Sequence, residues 1–211
     1  MASKDYYYVI TADVIGSRRE KNSLSLAEKG LSRLNTRYRA ALAVDFSIYR
    51  GDEIQGFITE KDDLIRFLRH LRYYLKPLSL RIGVGCGCIE TGLNKEFTWQ
   101  MDGSAFHFSR ASLNRIKSAR VPATRFAGEN ERLWQTVNTF YVLLDAVQNR
   151  WSEKQWYAVD AYERGGTYEA AAAELQVSPQ SVNKRCRAAD WKAVAEVERC
   201  LAALIHRREI L

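Results

Sequence analysis

Residues 5–17, DYYYVITADVIGS, form a β-branched and aromatic run that ends in turn residues, the pattern of a buried strand. Leu24, Ala27, Leu31, Leu34, Tyr38 and Ala41 then recur at spacings of three and four, which is one apolar stripe of an amphipathic helix. VDFSIYR and IQGFITE are short strand-like runs separated by Gly51, Asp52 and Glu53, a spacing that suits a hairpin. Asp62 is the expected N-cap of a second helix, whose stripe of Leu64, Ile65, Phe67, Leu68, Leu71 and Leu75 stops at Pro77. LSLRIGVGCGCIE follows as a further strand. The order is β-α-β-β-α-β, which predicts an α+β, ferredoxin-like antiparallel sheet with two helices on one face.

Beyond a polar loop, TGLNKEFTWQMDG, the chain predicts a helix over Gly103 to Lys117 capped by Asp102, a strand in RVPATRFAG, and a long helix from Glu129 to Arg150. After Trp151 the pattern changes to short helices with brief turns. Ser152 caps the first, Gly165 and Gly166 end it, Thr167 caps TYEAAAAEL, and Ser178 with Pro179 at the first helical position opens the last. The expected partition is residues 1–128 as an α+β domain, 129–150 as a connecting helix, and 151–211 as a small all-α domain.

The last part has the form of a helix-turn-helix. Ala171, Leu175, Val177 and Val182 would line its inner surface. The outer side of its final helix would offer Gln180, Ser181, Asn183, Lys184, Arg185 and Arg187, groups that hydrogen-bond base edges or phosphates in a major groove. This segment resembles region 4 of sigma factors and related response-regulator domains, a likeness that implies DNA as the partner. A helical bundle that serves protein contacts or forms a homodimer is the alternative.

The net charge of +7 suggests a polyanionic partner, and its placement sharpens the picture. Residues 1–150 hold 23 Lys and Arg against 16 Asp and Glu, whereas residues 151–211 hold 9 against 9. The C-terminal part therefore cannot rely on bulk charge. Lys29, Arg33 and Arg37, and likewise Arg66, Arg69 and Arg72, form basic stripes that read as solvated helix faces. No apolar run has the length of a membrane span and the N-terminus lacks a signal-peptide pattern, so no membrane partner and a cytoplasmic location are expected. Cys86 and Cys88 read as small buried strand residues, with no zinc-spaced companions.

Three acidic positions fall at element ends: Asp13 at the end of the first strand, Asp52 with Glu53 at the hairpin, and Asp102 before the third helix. The strand order makes the first strand and the hairpin neighbours, so Asp13 and Asp52 are expected to converge. Two carboxylates and a backbone carbonyl suit Mg²⁺, or Mn²⁺, which is commonly held by one or two carboxylates and substrate phosphates. Glu53 is expected to face solvent or to assist a metal-bound water.

ITADVIGS, YRGDEIQGFI, LRIGVGCGCI and DGSAFHFSRASL together resemble the SatD family of bacterial proteins, with the likeness running along the whole chain. At longer range the same segments resemble class III nucleotide cyclases, and the GDE hairpin resembles diguanylate cyclases and palm-type polymerases. The resemblance implies Asp13 and Asp52 as metal ligands with the carbonyl of Val14, and the amides of Ile15, Gly16 and Ser17 as a phosphate cradle. Where cyclases carry their transition-state asparagine this chain has His107, and their arginine position holds Ala111, with Arg110 one residue early. The expected function is a regulator with a nucleotide-binding, cyclase-like domain and a DNA-binding domain, the 129–150 helix serving as the lever between them. The alternatives are an active nucleotidyl cyclase or nucleotide-polymerising enzyme, in which Arg110 would meet a phosphate, and a protein-interaction module that binds neither ligand.

Overall fold

A computed structural model describes residues 6–17, 22–40, 42–59, 64–93, 95 and 97–207. Asp62 and Ala41, expected as a cap and a stripe position, lie outside these residues. The chain divides into two compact units, residues 1–142 with 201–211, and residues 143–200.

The first unit contains β1 (Tyr7–Val14), α1 (Ser23–Tyr38), β2 (Leu42–Arg50), β3 (Glu53–Ile58), α2 (Leu64–Tyr74), β4 (Leu80–Gly87), α3 (Ser104–Ile116) and β5 (Ala123–Gly128). Helix α4 (Glu131–Gln148) begins in this unit. The strand order is β2-β3-β1-β4-β5, antiparallel throughout except for the parallel β4–β5 pair. The β-α-β-β-α-β core is therefore present, extended by one strand at the β4 edge.

Strand alternation assigns the two faces of the sheet. On one face Phe46 packs on Phe67 and Tyr38 on Phe67, each pair with centroids 4.8 Å apart, under helices α1 and α2. The α1 stripe buries Ala27, Leu31, Leu34 and Tyr38, but Leu24, at the helix start, is 52% exposed. The six apolar α2 positions named from the sequence are all buried. Arg69 and Arg72 are buried as well, at 3% and 6% exposure, which corrects the reading of these two as solvated, while Arg66 of the same stripe is exposed. Arg72 Nη2 donates to Thr124 Oγ1 on β5 at 2.7 Å, so it serves as a tie to the sheet edge.

Helix α3 covers the opposite face, where Val9, Phe57, Met101 and Ala105 pack together. It can approach β4 closely because Gly85 has no side chain: a Cβ there would overlap the Ala105 carbonyl and the Ser109 amide. The expected Asp102 cap is replaced. Asp102 Oδ1 accepts from Gly103 N at 2.8 Å, while Glu90 Oε2 takes the Ser104 amide at 3.0 Å.

Both edge strands are closed at a phenylalanine by a helix-borne asparagine. Asn35 of α1 accepts from Phe46 N at 3.0 Å and donates to Phe46 O at 2.9 Å. Asn138 of α4 does the same for Phe126 of β5, at 2.8 and 3.0 Å. Each amide satisfies the donor and acceptor that an adjoining strand would otherwise take, which blunts an edge against pairing.

The second unit contains α5 (Glu153–Gly165), α6 (Tyr168–Leu175), α7 (Pro179–Ala188) and the start of α8 (Trp191–Arg207). The capping residues read from the sequence hold these helices. Ser152 and Gln155 form a reciprocal capping box, Thr167 accepts from Ala170 N, and Ser178 accepts from Ser181 N ahead of Pro179. Ala171 and Val182 are buried, while Leu175 and Val177 are half-buried. Arg164 joins α5 to α6, with Nη2 2.8 Å from Asp160 Oδ2 and 2.5 Å from Glu174 Oε1. Among the described residues no helix is long and apolar enough to cross a membrane.

Candidate functional site

The hairpin between β2 and β3 turns on two residues, Gly51 and Asp52, since Arg50 pairs with Glu53. Gly51 has φ of 59°, the left-handed conformation that a tight hairpin needs at its first turn position. Asp52 thus stands at the turn and Glu53 is the first residue of β3. Asp13 pairs with Glu53 on one side and with Arg81 of β4 on the other. Residues opposite each other across a ladder share a face, so Asp13, Glu53 and Arg81 all project toward α3.

Helix α3 answers with cations. Arg110 on the helix and Lys117, the cap residue just past Ile116, lie seven residues apart, two turns along one side. Arg110 Nη1 donates to Glu53 Oε2 at 2.6 Å, and Lys117 Nζ lies 3.4 Å from Glu53 Oε1. The Arg110 guanidinium also sits over the Tyr49 ring, 5.8 Å from its centroid. The Arg81 guanidinium contacts Asp13 Oδ2, while the Ser17 hydroxyl donates to Asp52 Oδ2. Behind this cluster a polar line continues through Thr11, hydrogen-bonded to Ser109 at 2.9 Å and to Gln55 at 3.1 Å.

The sequence placed Asp13 and Asp52 at one end of the sheet, and they are neighbours there. Burial foremost, then repulsion from Asp52 and Glu53, holds the Asp13 carboxyl above its ordinary value of 3.8, against the pull of Arg81 and Lys117. Glu53 is not solvent-facing as expected: it is buried and bound by two cations. The amide of Val14 donates to the Asp52 carbonyl at 3.3 Å, and that of Ile15 to the Ser79 carbonyl at 2.8 Å. The Ile15 amide is thus already engaged, whereas Gly16 is exposed with φ of 73°. His107 is exposed, with Nε2 3.4 Å from Asp102 Oδ1.

As folded, these residues do not fit a resident divalent ion. Asp13 is covered by Arg81, Glu53 by Arg110 and Lys117, and Asp52 accepts from Ser17. Among the described residues no group of three or more Asp, Glu, His or Cys side chains is arranged to hold a metal. A separate cavity of about 20 Å³ beside Asp52 is lined from the α1 side by Ser23, Leu24 and Ala27, with Val14, Ile48 and Ile54, and includes neither Asp13 nor Glu53.

Arg81, Lys117, Ser109 and Tyr49 were not singled out from the sequence. Arg81 carried a usable signal: counting by twos from Gly85 through Gly83 along β4 puts it on the α3 face. Lys117 carried another, its two-turn spacing from Arg110.

In the second unit, α7 presents Gln180, Lys184, Arg187 and Ala188 as exposed and Asn183 as half-buried, and these five residues line a groove of about 440 Å³. Their spacing of three and four makes one helix face. The other face buries Val182 and Cys186, with Ala189 just beyond the helix. Burial pushes the Cys186 thiol up to about 11, so it is a packing residue and not a nucleophile. Ser181 and Arg185 lie off the groove and are half-buried.

A family model described as "SatD family" matches residues 7–205. A crystal structure described as a regulator of polyketide synthase expression from Bifidobacterium adolescentis is 15% identical, with 99% of this chain and 83% of that chain covered. Its TM-score is 0.27, a level at which the likeness carries no conclusion about this chain. No curated protein matches.

Proposed function

The chain belongs to the SatD family, and from that footing we propose that it is a regulatory protein that binds DNA through α7, with α6 and α7 acting as a helix-turn-helix. The observation that carries this reading is the single exposed face of α7 around its groove. Gln180 and Asn183 are amides suited to adenine, Lys184 and Arg187 are cations suited to guanine or phosphate, and the buried opposite face holds the helix against its neighbours. Residues 151–211 carry balanced formal charge, so the cations of α7 matter by position and not by number.

The test is selection of binding sites from a random duplex pool with the full chain, followed by anisotropy titrations across a salt series. Lys184→Ala and Arg187→Ala should each weaken binding and lower the salt slope by about one where the side chain meets a phosphate. Arg185→Ala, off the groove, should do less. Retention on DNA that none of these substitutions alters would remove the reading.

A second reading concerns the first unit, which we propose to bind a nucleotide. It is favoured by the two cations that α3 sends to the carboxylate end of the sheet beside the Ile15–Gly16–Ser17 turn. A large excess of ATP or GTP should raise the melting temperature of the full chain, and Arg110→Ala should remove the shift. No shift with any nucleotide sinks this reading. Assaying the same samples for conversion of the nucleotide separates a binding site from an enzyme.

A further inference from the structure

The acidic end of the sheet brings together Asp13, Asp52 and Glu53, and like charges at this spacing resist simultaneous ionisation unless a cation stands among them. Two sources could supply that cation, a bound divalent ion or the protein itself. Arg81 lies directly across the ladder from Asp13 and touches Asp13 Oδ2. Both side chains are largely withdrawn from solvent, at 15% and 6% exposure. The same guanidinium donates to the Lys117 carbonyl and lies 3.4 Å from the Ala119 carbonyl. Those carbonyls follow the last turn of α3, where the helix dipole concentrates negative charge. One planar fork thereby serves a carboxylate and a helix end together, a geometry open to arginine and not to a lysine point charge.

We infer that Arg81 is the permanent counter-cation of this acidic edge, standing where a divalent ion would otherwise stand, and that it keeps the site free of metal. An incoming ion that took Asp13 Oδ2 would have to displace Arg81. It would also face the guanidinium at close range. Glu53 offers no alternative foothold, because Arg110 and Lys117 hold both of its oxygens. The inference does not rest on nucleotide or DNA binding, and it concerns the chain with no other ligand present.

The experiment measures Mn²⁺ uptake by the full chain without nucleotide, by equilibrium dialysis with spin-resonance counting of free ion, together with the melting temperature with and without Mn²⁺. Wild type should take up no Mn²⁺ at this edge and show no shift. Arg81→Met, which keeps the stem and removes the charge, should melt lower, bind roughly one Mn²⁺ per chain and regain part of the lost melting temperature with Mn²⁺ but not with K⁺ at equal ionic strength. Arg81→Lys, which keeps a charge, should bind none. Wild-type uptake that Asp13→Asn abolishes would overturn the inference, and so would a folded Arg81→Met chain that gains no Mn²⁺. If Arg81→Met does not fold, the wild-type and Asp13→Asn measurements still decide the matter.

Discussion

Asn138→Ala is the substitution whose cost can be worked most directly from the structure. The Asn138 amide makes both hydrogen bonds available to the Phe126 backbone, accepting at 2.8 Å and donating at 3.0 Å. Phe126 is buried, stacked on Trp134 with centroids 5.9 Å apart and packed on Tyr141 at 4.6 Å. Water therefore reaches its backbone poorly once the amide is gone. Two lost bonds at a net value of about 1 kcal/mol each, plus the penalty for polar groups left without partners, give a loss of about 2–4 kcal/mol. Asn138→Asp should cost at least as much, since it keeps an acceptor for the Phe126 amide but sets a carboxylate against the Phe126 carbonyl. Urea unfolding of the full chain measures the loss, with the slope unchanged if only the folded state is affected. Hydrogen exchange supplies a local readout: the Phe126 amide should be protected in wild type and exchange faster in Asn138→Ala. A change under about 0.5 kcal/mol with unaltered exchange at Phe126 would refute the reasoning.

Four further outcomes follow from single features. Gln176 holds φ of 52° at the end of α6, so Gln176→Gly should raise stability by about 0.5–1 kcal/mol, read as a higher melting temperature. Gly85→Ala places a methyl group against the Ala105 carbonyl and the Ser109 amide and should cost about 3 kcal/mol in urea unfolding, because α3 must move off the sheet. Asp13 has a folded pKa above its ordinary 3.8, so its contribution to stability is fully present below 3.8 and is lost as pH rises through the folded value. The stability of wild type relative to Asp13→Asn should accordingly improve as pH falls through that window, and a flat or opposite trend in paired unfolding curves would contradict the assignment. Gly51→Ala should cost about 1–2 kcal/mol through its left-handed φ alone, since nothing lies within 4 Å of the added carbon, and the loss should appear in the same unfolding assay.

What the sequence determined by itself is most of the elements and several of their starts; α8 (Trp191–Arg207), beyond the helix expected to be the last, was not among them. Apolar spacing identified α1 and α2, and Ser152, Thr167 and Ser178 marked the starts of α5, α6 and α7, because periodicity and capping engage residues within a turn or two of each other. The β-α-β-β-α-β order then made β1 and the hairpin neighbours, which was enough to bring Asp13 and Asp52 together. Tertiary structure decided what those acids touch. Arg81 reaches Asp13 from 68 positions along the chain, and Arg110 reaches Glu53 from 57. The partners of such pairs depend on strand register and on which face a helix covers, neither of which a local pattern encodes. The same reason explains Arg72, polar by composition yet buried where β5 extends the sheet edge and offers Thr124. It also explains Asn35 and Asn138, unremarkable in sequence, which close the two edges only because α1 and α4 run alongside them.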